Sequence, residues 1–588
     1  MRFAMRGDQS SGNGPGFNRS GKRTRVWWLP VLAGVALFHT TAALAADAPH
    51  LEKRGAATQL IVDGQPWLIR GGEFANTASS SLPYIDDVWP KMTRLNLNTV
   101  LVGVAWAWVE PEEGKFDFSL VDGLLAGARK NNQRVIFIWF ASWKNGISSF
   151  APAWVKRDQA RFPRVQIKSG KSVEILSTFG SASRDADAHA YGQFMDHLRT
   201  VDARHTCIMI QMQNEVGVLG DSRDRSAAAN AAFAGPVPAE LLTALAKHQS
   251  QLSPALTKLW QGAGQKSAGT WTEVFGNSAA TDEIFMAWHY ARYMEHVTAA
   301  GKKVLPIPVF TNTWIVQPED KGPGDYPSGG PQPLTLDVWK AGAPSIDLNC
   351  PDIYLPDFDA HVAAFHRADN PLFVPESRGD AAGVANAFFA IGAHASLGYS
   401  PFGIDNTGRL VTLRPDPGAV QPTELESLPL ARGYALLRDL SPLILQHQAS
   451  GTINAAWLNA KQPQQDVALG DYTLHFDLRR NRRNPAQVPA LGYALVLGLA
   501  ADEFIVAGTD VQVTFSPRTP GDPIAGLADA EAGTVRDGQW VAGRKMSGDD
   551  ILLEYDLAKA AAENQSGSGL RFGPDGPTLQ RVKLYRYH

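Results

Sequence analysis

Between about residues 57 and 430, short and nearly continuous apolar runs alternate with stretches whose apolar residues recur at helical spacing. Eight runs stand out: Leu68–Arg70, Leu97–Val104, Arg134–Phe140, Thr206–Met212, Val304–Phe310, Ser345–Tyr354, Pro371–Val374 and Ala395–Phe402. The spacing predicts helices between them. One begins at Ser119, read as its cap, and carries Leu120, Val121, Leu124, Leu125 and Ala128. Another runs through Ala188, Tyr191, Met195 and Leu198, and a third from Glu283 to Ala300, with Gly301 in the C′ position. Strands that are apolar on both faces and separated by helices imply a parallel sheet covered on both sides. Eight such units in one domain predict an α/β fold, a (β/α)8 TIM barrel over residues 57–440.

After about residue 440 the period changes to two. Tyr472, Leu474, Phe476 and Leu478 alternate with polar neighbours, as do Val511, Val513 and Phe515; Tyr493–Leu499 and Val582–Tyr587 also read as strands. The expectation for 441–588 is a C-terminal antiparallel β-sandwich domain. Within the barrel, residues 217–282 and 318–333 are too long for simple connections, and each follows a strand's C-terminal end, where it can wall a cleft. The first 45 residues have a different character. Arg19, Lys22, Arg23 and Arg25 precede the apolar run Val26–Phe38, and Ala43-Leu44-Ala45 offers a small-x-small cleavage site. This is the pattern of a secretory signal peptide cut after Ala45, which predicts a periplasmic or secreted protein with no membrane contact once the signal is removed.

Composition narrows the picture. Lys+Arg is 55 against 58 Asp+Glu, so a basic face for nucleic acid is not expected. Two cysteines, Cys207 and Cys350, give neither a disulfide scaffold nor a cysteine zinc site, and both fall in strand-like segments where buried free thiols are the expectation. Gly170-Lys171-Ser172 lacks the earlier glycine of a P-loop, and neither His-Glu-x-x-His nor Gly-x-Ser-x-Gly occurs. No metal or organic cofactor is implied.

The chemistry gathers at two strand ends. Gln213-Asn214-Glu215 follows the fourth run and Pro375-Glu376 the seventh. The two glutamates are 161 residues apart, yet barrel closure faces them across one mouth. Paired carboxyls are what glycosidic cleavage requires: one protonates the leaving oxygen while the other attacks the anomeric carbon or activates water. Asn214 is placed to bond a sugar 2-hydroxyl.

Asn-Glu after strand four with Glu after strand seven resembles the retaining glycosidases built on the clan A barrel. Trp106-Ala107-Trp108-Val109-Glu110-Pro111-Glu112-Glu113-Gly114-Lys115-Phe116-Asp117-Phe118 resembles the W-x-x-x-E-P-x-x-G-x-F-D-F block of family 35 and family 42 β-galactosidases, and Arg70-Gly71-Gly72-Glu73-Phe74-Ala75-Asn76 resembles their first strand. Trp143-Lys144-Asn145-Gly146 with Ala151-Pro152-Ala153-Trp154-Val155 is similar to the family 35 subgroup that carries a β-sandwich tail. The resemblance implies that Glu215 is the acid/base and Glu376 the nucleophile, and that terminal β-galactosides of plant-wall oligosaccharides or polysaccharides are the substrates. There are departures. The Asn-Ala-Glu clamp that many family 35 members carry after strand three reads Phe140-Ala141-Ser142-Trp143-Lys144-Asn145 here, and Ser377-Arg378-Gly379-Asp380 follows Glu376.

Further substrate-binding candidates are Tyr354, which can donate to the nucleophile, Glu73, and the strand-end aromatics Trp106, Trp143 and Trp314. For each tryptophan, cleft lining and core packing both remain open. Glu110 reads as a loop brace and Arg378 as a partner of Asp380. The alternatives to a β-galactosidase are another clan A β-glycosidase or a non-catalytic carbohydrate-binding protein on the same scaffold. The oligomeric state stays open, a dimer among the options.

Overall fold

The computed structural model describes residues 48–406, 422–479, 488–536, 538–553, 558 and 566–588. The signal-peptide reading of residues 1–45 lies outside them. Among the described residues, no helix is long and apolar enough to cross a membrane.

Eight parallel strands form the barrel: β1 (Ile69–Arg70), β2 (Thr99–Ala105), β3 (Arg134–Lys144), β4 (Cys207–Asn214), β5 (Val309–Trp314), β6 (Leu348–Ile353), β7 (Val374–Ser377) and β8 (Gly398–Pro401). They pair in sequence order, and β8 pairs with β1. The seam between β1 and β2 closes through backbone bonds, Leu101 N to Gly72 O at 2.9 Å and Phe74 N to Leu101 O at 3.0 Å. A helix follows each strand: α1 (Trp89–Arg94), α2 (Ser119–Lys130), α3 (Ser181–Val201), α4 (Ala279–Lys302), α5 (Leu336–Gly342), α6 (Phe358–Phe365), α7 (Ala381–Ala393) and α8 (Pro429–Ser450). The fold is the expected TIM-like barrel.

Alternation along each strand divides the core. Ile136, Ile138 and Phe140 of β3 point into the barrel, where they meet Leu101, Ile208, Phe310, Leu348 and Phe373. Val135, Phe137 and Trp139 point out into the helix layer. A three-stranded antiparallel sheet (His50–Arg54, Ala57–Val62, Gln65–Trp67) supplies Leu60 and Val62 to the inner cluster.

The tail forms two antiparallel sheets. Its strands are β9 (Ile453–Asn459), β10 (Gln464–Leu469), β11 (Tyr472–Leu478), β12 (Leu491–Ala500), β13 (Glu503–Thr509), β14 (Val511–Pro517), β15 (Ile524–Arg536), β16 (Gln539–Lys545), β17 (Leu552–Leu553), β18 (Ser568–Arg571) and β19 (Thr578–Tyr587). One sheet runs β9-β12-β13-β19-β15-β16, the other β10-β11-β14-β18-β17. Leu474, Phe476, Val496, Val506, Val513 and Phe515 fill the space between them. The outer face of the first sheet packs on the barrel: Phe388 of α7 meets Tyr493 of β12 at 5.1 Å between ring centroids. The expected division at 440/441 falls inside α8, which belongs to the barrel; its Tyr434 hydroxyl lies 3.0 Å from Gly71 O and 2.8 Å from Tyr399 O, across the β8–β1 seam.

Three local expectations need correction. Strand β5 begins at Val309, five residues later than the apolar run, because Pro306 and Pro308 have no N–H for a ladder. Phe118, not Ser119, holds the N-cap position of α2, and Asp117 Oδ1 accepts the Ser119 N–H at 2.9 Å. Gly301 does not end α4, which continues to Lys302. A Cβ at 301 would stand 2.2 Å from Tyr191 Cε1, so hydrogen there is what lets α4 lie against α3. Gly301→Ala is therefore expected to destabilise the fold by about 1–3 kcal/mol through overpacking, although alanine is the better helix former by up to about 1 kcal/mol. Urea-induced unfolding followed by circular dichroism checks this; a stabilised variant would contradict the close packing.

Candidate active site

The C-terminal ends of β3 to β7 bring a set of acids and amides together. Asn214 closes β4 and Glu215 follows it; Glu376 lies within β7; Asp352 lies in β6 and Tyr354 just beyond it. One carboxylate oxygen from each of Glu215, Asp352 and Glu376 lies within 4.8 Å of the other two. The structure thus brings together the two glutamates named from the sequence and adds a third carboxyl that the sequence reading missed.

Amides fix the set in place. Asn312 of β5 accepts the Glu215 N–H on Oδ1 at 3.0 Å. Its Nδ2 donates to Asn214 Oδ1 at 3.0 Å and to Asp352 Oδ2 at 2.7 Å. Gln211 Nε2 donates to Asn214 Oδ1 at 3.1 Å, and Asn214 Nδ2 donates to Glu215 Oε2 at 3.2 Å. Below them, Gln213 Oε1 accepts the backbone N–H of Trp143 at 3.0 Å, and its Nε2 donates to Asp187 Oδ2 at 2.8 Å. Asp187 also accepts Trp139 Nε1 and Ser142 Oγ, so α3 sets the pitch of the β3 and β4 ends. The chain is forced to turn sharply here: Gln213 has φ +57° and Glu215 φ +46°, in the left-handed region that side chains with a Cβ disfavour.

The electrostatics follow from burial. Glu215 is pushed up to about 7 by burial and by the charge of Glu376, against the pull of Lys144 and the hydrogen bonds of Asp352 and Asn214. Burial also raises Glu376, but Lys144 and the Tyr354 hydroxyl, which donates to Glu376 Oε1 at 2.8 Å, pull it back. Asp352 and Glu73 stand well above the carboxylate range, burial first and the neighbouring carboxyls second. Like charges this close cannot all ionise, and the group with the better donors ionises first. That group is Glu376, and its charge holds the proton on Glu215. Three oxygens at this spacing are also a donor set for a hard cation, but Lys144 already supplies positive charge to the same carboxyls.

The remaining candidates divide. Tyr354 is exposed and bonded to Glu376. Glu73 is fully buried next to the set, with both carboxyl oxygens unpartnered. Trp314 closes β5 and keeps part of its surface accessible. Trp106 and Trp143 are corrected: both are fully buried. Trp143 packs between Tyr290 and Tyr293 of α4, and Trp106 donates to Glu110 Oε2 at 2.7 Å. Glu110 is the brace, also accepting the Gly114 N–H, and Arg378 pairs with Asp380. Cys207 and Cys350 are buried and free. The two long loops are joined to each other by Val218 N to Ser328 O and its reciprocal, both 2.9 Å. The loop after β3 is tied to the mouth by Gly146 N to Glu215 O at 3.0 Å.

Comparison with known proteins adds sequence evidence. Residues 83–235 match the glycoside hydrolase family 42 model, described as β-galactosidase, and residues 430–556 match a domain of unknown function, DUF5597. Of the two families the sequence resembles, family 42 is the one whose model matches; the family 35 assignment is not confirmed. No curated protein matches the chain. Similar solved structures include the β-galactosidase from Bacillus circulans sp. alkalophilus, 15% identical with a TM-score of 0.43 over 64% of this chain and 57% of that one. A family 39 glycoside hydrolase from the gut symbiont Bacteroides cellulosilyticus WH2 is 12% identical with a TM-score of 0.42 over 90% and 84%. The exo-β-1,4-mannosidase Op5Man5 from Opitutaceae bacterium strain TAV5 is 14% identical with a TM-score of 0.36 over 65% and 61%. The match thus spans 57% of the length of the Bacillus β-galactosidase.

Asn312 carries three of the bonds that assemble the site. Asn312→Ala leaves a buried N–H and two buried oxygens short of a partner, and is expected to cost about 2–5 kcal/mol of stability. Denaturant unfolding measures this; a change below about 0.5 kcal/mol would mean that the amide is not structural.

Proposed function

We propose that the protein is a retaining exo-β-glycosidase acting on terminal β-galactosides. The observation that carries this reading is the approach of one carboxylate oxygen of Glu215 to one of Glu376 within 4.8 Å, with both protons held by burial, Glu215 further by the charge of Glu376, and Glu376 eased by Lys144 and Tyr354. Inverting enzymes need about 6.5–9.5 Å between the two carboxyls to admit water, and retaining ones about 5–5.5 Å. The match of residues 83–235 to the family 42 β-galactosidase model supports the sugar.

In the first step the ionised Glu376 attacks the anomeric carbon while Glu215 gives its proton to the leaving oxygen. The bond from C1 to the aglycone breaks as the bond from C1 to Glu376 forms. Its negative charge is thereby consumed, so the repulsion that kept Glu215 protonated disappears. Glu215 then accepts a proton from water, whose oxygen attacks C1 and releases Glu376 with overall retention. Tyr354 holds Glu376 ionised and oriented, and Asn214, itself fixed by Gln211 and Asn312, meets the sugar 2-hydroxyl. Export through a cleaved signal peptide and a plant-wall oligosaccharide substrate complete the reading. A non-catalytic binding role gains no observation of its own, since apposed buried carboxyls that repel one another serve no purpose in a binder.

The mature protein is expected to release nitrophenol from nitrophenyl β-galactoside faster than from the β-glucoside, β-mannoside or α-arabinoside, with the β-anomer as first product by NMR. Glu376→Ala should lower kcat by at least about 10³-fold, and Glu215→Ala by about 10²–10⁴-fold on substrates with poor leaving groups. Turnover of another glycoside would move the specificity and keep the mechanism; full activity in Glu376→Ala would overturn both. The rate should fall as pH rises through about 7, where Glu215 loses its proton. In Tyr354→Phe the acidic limb should move to higher pH, because the hydroxyl that favours ionised Glu376 is gone. A pH–rate profile of kcat/KM that leaves the acidic limb in place would exclude that role for Tyr354.

A further inference from the structure

A cavity lies at the other end of the barrel. Its volume is about 880 Å³, and the starts of β1, β2 and β3, the terminal sheet and α8 enclose it. The parallel strands put it opposite the mouth that holds Glu215 and Glu376. Asparagine and glutamine supply eight of its lining residues, arginine three, and no lining residue is acidic.

Arg70 is the informative member. Its guanidinium is nine-tenths buried, yet it donates only to neutral acceptors, Asn96 O at 3.0 Å and Ser441 Oγ at 3.2 Å. Arginine is rarely buried without an anionic partner. Arg438, also on the wall and paired with Asp439 at 2.9 Å, adds a second positive charge; burial and that repulsion lower Arg70 to about 10, against the smaller opposing pull of Tyr434 and Asp439. Among the described residues, neither Arg54 nor Arg70 makes an ion pair. Nearby, Gln133 is buried with its Oε1 unpartnered. Trp67 lines the same space, its indole Nε1 donating to Thr99 Oγ1 at 3.1 Å.

Each part of this lining has a complement on one kind of ligand. An indole suits the apolar face of a pyranose ring, and carboxamides both donate to and accept from sugar hydroxyls. Guanidinium groups fit carboxylates in a bidentate fork. A volume of this size lies within the usual range for ligand pockets. We propose that this cavity is a second, non-catalytic glycan site that takes an oligosaccharide bearing uronic acid carboxylates. The assignment does not rest on the activity proposed for the glutamates.

Isothermal titration calorimetry with tetragalacturonate on the intact protein tests it. Binding is expected, weakened by about tenfold or more in Arg54→Ala and in Arg438→Gln and unchanged in Glu376→Gln. Both arginines are partly exposed, so these variants should fold; thermal unfolding of each confirms it. The neutral β-1,4-galactotetraose should bind more weakly than tetragalacturonate, and inorganic phosphate should not compete at equal concentration. Absence of tetragalacturonate binding, binding indifferent to both arginines, equal affinity for the neutral tetramer, or displacement by phosphate would each overturn the proposal.

Discussion

Mutual repulsion among buried carboxyl groups governs the mouth of this barrel. Glu73, Glu215, Asp352 and Glu376 influence one another there, and the charge that relieves them all is Lys144. Burial removes water as a screen, so the protons must be distributed unequally. The amides around the site decide which group ionises. Asn312, Gln211 and Asn214 form a chain from β5 to β4 that fixes the acids in place. The outer scaffold serves the same end: Asp187 on α3 holds Gln213, and Tyr434 on α8 spans the seam that closes the barrel.

Much of this was legible in the sequence because barrel topology turns adjacency in the chain into position in space. A polar residue at or just beyond the end of an apolar run stands at a strand end, and that rule finds Asn214, Glu215, Glu376 and Tyr354. It failed where the polar residue lies inside the run. Asp352 sits between Pro351 and Ile353 and reads as part of strand six, although the period of two puts it on the same side as Tyr354. Asn312 is hidden because the apolar run ends at Phe310, whereas Pro306 and Pro308 shift the strand itself to Val309–Trp314.

The tryptophans show the opposite error. An indole near a strand end reads as a sugar platform whichever way it points. Parity along β3 separates the cases: Ile136, Ile138 and Phe140 face inward and Lys144 continues that series, whereas Trp143 falls on the helix side with Trp139. Gly301 shows the same limit of local rules. Glycine near a helix end suggests a stop, but here its missing side chain is what allows two helices to touch, a fact that resides in the neighbouring helix.

The left-handed backbone at Gln213 and Glu215 sets this site against the fold that carries it. A residue with a side chain held there costs on the order of 1 kcal/mol, which glycine would not. At position 215 a glycine would ease the backbone and remove a buried acid at once, so selection for stability alone would erase the glutamate. The glutamate is therefore held at a cost to the fold in both respects, the backbone it bends and the acid it buries.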